Sequence, residues 1–155
     1  MVGDGRVTLT PPLIAMMDGR KPRLRCARTA APKEQVLHFG VAKLLRDHCL
    51  PEWRWTHFPA GEKRDMRTAT KLKQMGLNRG WPDFLLFSPI YDRQIHGLEL
   101  KRLGETLNDD QADWREWALT HGAKYEVAWT MEEVLLAFER WGCLRVKYEP
   151  RRPNE

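Results

Sequence analysis

No stretch of this 155-residue chain approaches the roughly 20 consecutive apolar residues of a membrane-spanning helix. The N-terminus also lacks the apolar core of a secretory signal peptide. Only three cysteines are present, Cys26, Cys49 and Cys143, at unrelated spacings. An odd, scattered set gives neither a disulfide framework nor a zinc-ligand pattern. Internal repeats are absent too. These absences exclude a membrane partner and a disulfide scaffold, and they predict a protein of the reducing cytoplasm. What remains is most simply one domain. With 42% hydrophobic residues and seven tryptophans, it can bury a real core.

The formal charge is +5 and the pI about 9.3, a balance that invites a polyanionic partner. The charge sits in two blocks. Residues 1–30 carry six basic against two acidic side chains, and residues 61–80 carry the same excess, leaving the remainder at −3. The second block holds Lys63, Arg64, Arg67, Lys71, Lys73 and Arg79. Its bland reading is a solvated face. Its functional reading is a set of phosphate contacts, which position a nucleic acid without reading its sequence. No base-reading element is visible.

Residues 1–31 contain Pro11-Pro12 and Pro22 and have no sustained period, so they predict an irregular basic arm. From Pro32 to about Cys49, Leu37, Val41, Leu44, Leu45 and His48 recur at helical spacing. Glu34 falls on the same face, where a first-turn acid also complements the helix dipole. Trp53–Phe58 reads as a strand, and residues 62–76 as a short helix or ordered loop stopping at Gly76. Asp83–Ser88 and Ile95–Lys101 read as two further strands. Asn108 and Gln111 have the spacing of a capping box for a helix running to about His121. Trp114, Trp117 and Ala118 are expected to face inward on it. Tyr125–Trp129 reads as a fourth strand. Thr130 and Glu133 then cap a helix to Trp141, and Gly142 stops it. The predicted order is αβββαβα. The folded domain spans 32–145, and residues 146–155 form a polar tail.

The two middle strands are unusual because each apolar run carries an acid. Side chains alternate along a strand, so Leu98 and Leu100 share one face, and Glu99 and Lys101 the other. A buried unpaired charge is costly, so the pair marks a polar cleft. Pro82 cannot donate to a sheet ladder and fits a strand's first position. That puts Asp83 at the mouth of the run Phe84–Phe87. If the two strands pair, Asp83 and Glu99 converge. Two carboxylates suit a hard divalent cation such as Mg²⁺, completed by water and a substrate phosphate. His57 can approach from the first strand, although a strand histidine is more often structural. Trp81, next to Pro82 and Asp83, can pack or stack on a base.

Pro82-Asp83, followed after 15 intervening residues by Glu99-Leu100-Lys101, resembles the motif of PD-(D/E)XK nucleases. Gly80 before it, Gln111 after it and Gly122-Ala123 before the last strand resemble the VRR-NUC branch. That branch includes small stand-alone phage and bacterial nucleases and the nuclease domain of interstrand-crosslink repair enzymes. The resemblance covers about residues 33–142. It implies an α/β, restriction-endonuclease-like core (αβββαβ) with a mixed four-stranded sheet flanked by helices. It further implies a metal-dependent DNA endonuclease of a bacterial or phage-infected cell. In such an enzyme Asp83, Glu99 and the Leu100 backbone carbonyl would bind Mg²⁺ or Mn²⁺, with Glu34 assisting. Lys101 would position and deprotonate the attacking water, and Gln111 would stand at the rim of the site. Relatives of this type are similar to junction resolvases, which implies branched DNA and a homodimer in replication, recombination or repair. The competing readings are a non-catalytic nucleic-acid-binding module and a nuclease subunit active only with a partner.

Overall fold

The computed structural model describes residues 23–24, 34–58, 65–89 and 93–148. In chain order the elements are β1 (Arg23–Leu24), α1 (Glu34–His48), β2 (Arg54–His57), α2 (Met66–Gln74), β3 (Phe84–Phe87), β4 (Ile95–Leu100), α3 (Asp109–Thr120), β5 (Lys124–Ala128), α4 (Met131–Trp141) and β6 (Lys147–Tyr148). The chain divides into two compact units, and residues Glu52–Val127 form the one that carries the sheet.

That sheet has the strand order β2-β3-β4-β5, as expected of a mixed four-stranded α/β sheet. β3 runs antiparallel to both β2 and β4, with His57 opposite Phe84 and Phe84 opposite Leu98. β3 is central, and Phe84, Leu85 and Leu86 are all buried, as a strand covered on both faces requires. The connection from β4 to β5 runs through α3. Asn108 caps α3 through a reciprocal capping box with Gln111. Trp114 and Ala118 of α3 pack with Leu85 and Tyr125 of the sheet. Trp117, expected inward, instead lies half in solvent at 51% exposure and stacks on His121. The inward face of α3 is the row 111, 114 and 118, and residue 117 lies at its edge.

Close approach in this unit depends on Gly97. A Cβ there would stand 2.9 Å from Pro82 Cγ, 3.1 Å from Trp114 Cζ3 and 3.2 Å from Tyr125 Cδ2. Gly80 adopts φ +82°, and a Cβ on it would collide with the Asp110 backbone carbonyl. These two glycines let the Trp81-Pro82-Asp83 corner seat itself.

In the other unit α1 packs on α4. The predicted stripe Leu37, Val41, Leu44, Leu45 and His48 is entirely buried. The Thr130–Glu133 capping box starts α4, and Gly142 ends it in the left-handed conformation. Beyond α4, Leu50 donates to Cys143 O at 2.8 Å and Arg145 to His48 O at 2.8 Å. The ordered chain runs past the expected boundary at 145, because Val146 and Tyr148 are buried and β6 pairs in parallel with β1. The sequence placed Arg23–Leu24 in an irregular arm and Lys147–Tyr148 in a tail. Residues 1–22, 25–31 and 149–155 lie outside the described residues. Among the described residues, no helix is long and apolar enough to cross a membrane.

Candidate active site

The site is set by the pairing of β3 with β4. Their register places Phe84 opposite Leu98, so one further step sets Asp83 opposite Glu99. The step is secured at both ends. Leu100 N donates to Asp83 Oδ2 at 2.8 Å, and Phe58 N donates to Asp83 O at 2.7 Å. Asp83 is thereby fixed to β2 through its backbone and to β4 through its side chain.

Glu99 is 2% exposed. Lys101 Nζ lies 3.0 Å from Glu99 Oε1, with the lysine side chain 12% exposed. Gln111 ties the two together. Its Oε1 accepts from Lys101 Nζ at 2.8 Å and from Asn108 N at 3.1 Å, while its Nε2 donates to Glu99 Oε1. The capping box expected of Gln111 is present, and the same side chain also reaches Lys101 and Glu99. Its amide oxygen serves the cap and the lysine, and its amide nitrogen serves the glutamate.

Glu99 Oε2 is buried and has no hydrogen-bond partner. A buried carboxylate oxygen without a donor is unusual and needs either a proton or a cation. Burial, reinforced by the Asp83 carboxylate and opposed by Lys101, raises the Glu99 pKa from 4.5 to about 7. Two carboxylates on adjacent strands, one with an unused inward oxygen, fit a divalent cation with oxygen ligands.

Two further side chains lie near the acids: His57, which the sequence allowed to approach from the first strand, and Tyr125, which it did not single out. A ring nitrogen of His57 and a carboxylate oxygen of Asp83 lie within 4.8 Å of one another. This follows from the β2–β3 register, in which His57 stands opposite Phe84, one residue from Asp83. The other is Tyr125, on β5. Its hydroxyl is buried without a partner, and burial together with the charges of Glu99 and Asp83 pushes its pKa upward. It is a neutral phenol in the field of the two acids. The place of Tyr125 depends on the strand order and leaves no local signal in the sequence.

Of the remaining residues singled out from sequence, Glu34 is half-buried in the first turn of α1, outside the Glu52–Val127 unit. Arg67, Lys71, Lys73 and Arg79 are exposed on α2 and the loop that follows it. Lys63 and Arg64 lie outside the described residues. α2 buries no residue and begins at Asp65, whose side chain accepts from Thr68 N at 3.0 Å.

No family model and no curated protein matches the sequence. Among solved structures the chain is similar to a VRR_NUC domain protein, with a TM-score of 0.54 and 16% identity. The match covers 79% of this chain and 96% of that one. The fold is VRR_NUC-like. The mixed four-stranded sheet flanked by helices is consistent with that likeness.

Proposed function

We propose that this chain is a divalent-metal-dependent deoxyribonuclease, an endonuclease hydrolysing phosphodiester bonds. The observation that carries the proposal is the orphaned Glu99 Oε2, buried beside Asp83 and next to the Lys101 ion pair. A module that merely bound nucleic acid would gain nothing from buried acids facing a polyanion. The VRR_NUC-like fold supports the same reading.

Asp83, Glu99 and the Leu100 carbonyl would hold Mg²⁺ or Mn²⁺. When bound, such a cation would polarise the scissile phosphate and neutralise charge on the leaving oxygen. The protein groups do the positioning. Leu100 N fixes Asp83 Oδ2 and so holds the carboxylate in place beside Glu99. Gln111 and Lys101 both engage Glu99 Oε1, which leaves Oε2 as the ligand atom. The Lys101 ammonium would orient the attacking water and stabilise charge on the phosphate. Arg67, Lys71, Lys73 and Arg79 would hold flanking phosphates. Lys63 and Arg64 would extend that set. Glu34 enters only through the family resemblance, and Glu34→Gln tests it. Branched DNA as substrate and a two-fold dimer that nicks two strands complete the proposal.

The test is cleavage of linear, flap and four-way-junction DNA by the wild type and Asp83→Ala, with Mg²⁺, Mn²⁺ or EDTA. Metal-dependent cutting that disappears in Asp83→Ala is expected. Tight binding without cutting under every metal condition would overturn the stand-alone enzyme and favour a binding module or a partner-dependent subunit.

A further inference from the structure

One cavity of the Glu52–Val127 unit has no part in the proposed chemistry. It is open, measures about 320 Å³, and its walls include Phe58, Leu72, Met75, Leu77, Asn78 and Trp81. That is at the lower end of the ~300–1,000 Å³ of small-molecule sites. Its aromatic wall is built rather than incidental. Phe58 and Trp81 make a tilted contact at a centroid distance of 5.4 Å, and Trp81 makes a second tilted contact with Trp114 at 5.5 Å. The same two residues adjoin the acid. Phe58 N bonds to Asp83 O, and Trp81 precedes Asp83 by two positions.

The rim supplies the second constraint. Lys71 and Lys73 bracket the wall residue Leu72 in sequence, and Arg79 follows the wall residue Asn78. All three are exposed, and residues 66–79 contain no acid. An apolar, aromatic cavity flanked in sequence by exposed cations offers a free phosphate few donors, those of Asn78 and the Trp81 indole N–H among its wall side chains. It suits a group with an exposed π-face attached to a polyanion. A paired base hides its faces in the stack, so the occupant must already be out of the helix.

We infer that this cavity receives an unpaired nucleobase of the strand being cut, stacked on Trp81, with Lys71, Lys73 and Arg79 holding the phosphates on either side. The inference rests on the nuclease reading and narrows its substrate. A strand with an unpaired base near the scissile phosphate, as in a flap or junction, is favoured over continuous duplex. Duplex would first have to surrender a stacked base at a cost of a few kcal/mol. Stacking of one base on an aromatic side chain is worth about 1–3 kcal/mol, or roughly 5- to 150-fold in affinity.

The test measures binding in EDTA by fluorescence anisotropy, using flap oligonucleotides with a single abasic site stepped along the unpaired strand. The wild type is expected to lose roughly 5- to 150-fold in affinity at one or two adjacent positions and little elsewhere. Leu72→Trp, which fills the cavity from a helix that buries no residue, should bind every oligonucleotide equally. A 2-aminopurine at the sensitive position should be quenched on binding to the wild type, a reading that needs no variant. A flat abasic scan together with metal-dependent cutting would overturn the cavity and leave the nuclease standing. Absence of any nucleic-acid binding or cutting would overturn both.

Discussion

Replacing Glu99 with Gln is expected to abolish cutting and, in the absence of metal, to remove most of the protein's loss of stability between about pH 4.5 and about pH 7. The magnitude comes from the site itself. Burial and the Asp83 charge raise the Glu99 pKa from 4.5 to about 7, a displacement equivalent to about 3 kcal/mol. The sign follows from proton binding. Between those two values the folded state holds a proton that the unfolded chain has released, so stability falls as pH rises. The contribution is fully present below about pH 4.5 and lost once pH has passed about 7. Glu99→Gln removes this titration. It also removes the partner of Lys101, but that loss is a constant offset through the window and cancels in the slope. Urea melts in EDTA from about pH 5 to about pH 8.5 therefore provide the assay. The stability difference between wild type and Glu99→Gln should change by about 3 kcal/mol across the range. In thermal melts this is about 6–12 °C for a domain of this size. Added Mn²⁺ at the upper pH should restore the wild type and leave the variant unmoved. Parallel pH profiles for the two proteins would refute the reasoning, because they would mean Glu99 ionises in the folded state as it does in water.

Three further outcomes follow from the same geometry. Lys101→Met should lower the single-turnover cleavage rate by about 10²–10³ while DNA binding, measured by anisotropy, changes little. Gln111→Ala should cost about 1–2 kcal/mol of stability through the lost cap and its network. Gln111→Glu should recover the cap but not the cleavage rate, because it sets a third carboxylate against Glu99. Gly97→Ala should destabilise by about 1–3 kcal/mol in a urea melt, since its Cβ would press on Pro82, Trp114 and Tyr125.

Much of this arrangement is legible in the residues because its causes are local. The α1 stripe lies on one face of a 3.6-residue period, and all five of its residues are buried. Both capping boxes are set by side chains three residues apart. The convergence of Asp83 with Glu99 needed only two apolar runs close in sequence to pair as antiparallel neighbours. What stayed hidden depends on distant pairing. The β1–β6 pairing joins two-residue strands from opposite ends of the chain, too short to show a period. The burial of the Tyr125 hydroxyl is a consequence of strand order and the crossover. Trp117 was misplaced because a tryptophan at the edge of an inward row can as readily stack on a neighbour, here His121, as enter the core. The cavity against Phe58 and Trp81 also arises only after folding, since its walls come from β2's exit, α2 and the loop before β3.

The central claim is that Asp83 and Glu99 share a cation, and it is tested most directly by calorimetric titration of Mn²⁺ at about pH 8, above the raised Glu99 pKa. The wild type and the exposed-site control Glu105→Gln should show the same saturable binding, and Asp83→Asn and Glu99→Gln should each lose it. Saturable binding that survives both substitutions, or a wild type that takes up no Mn²⁺, would contradict the account.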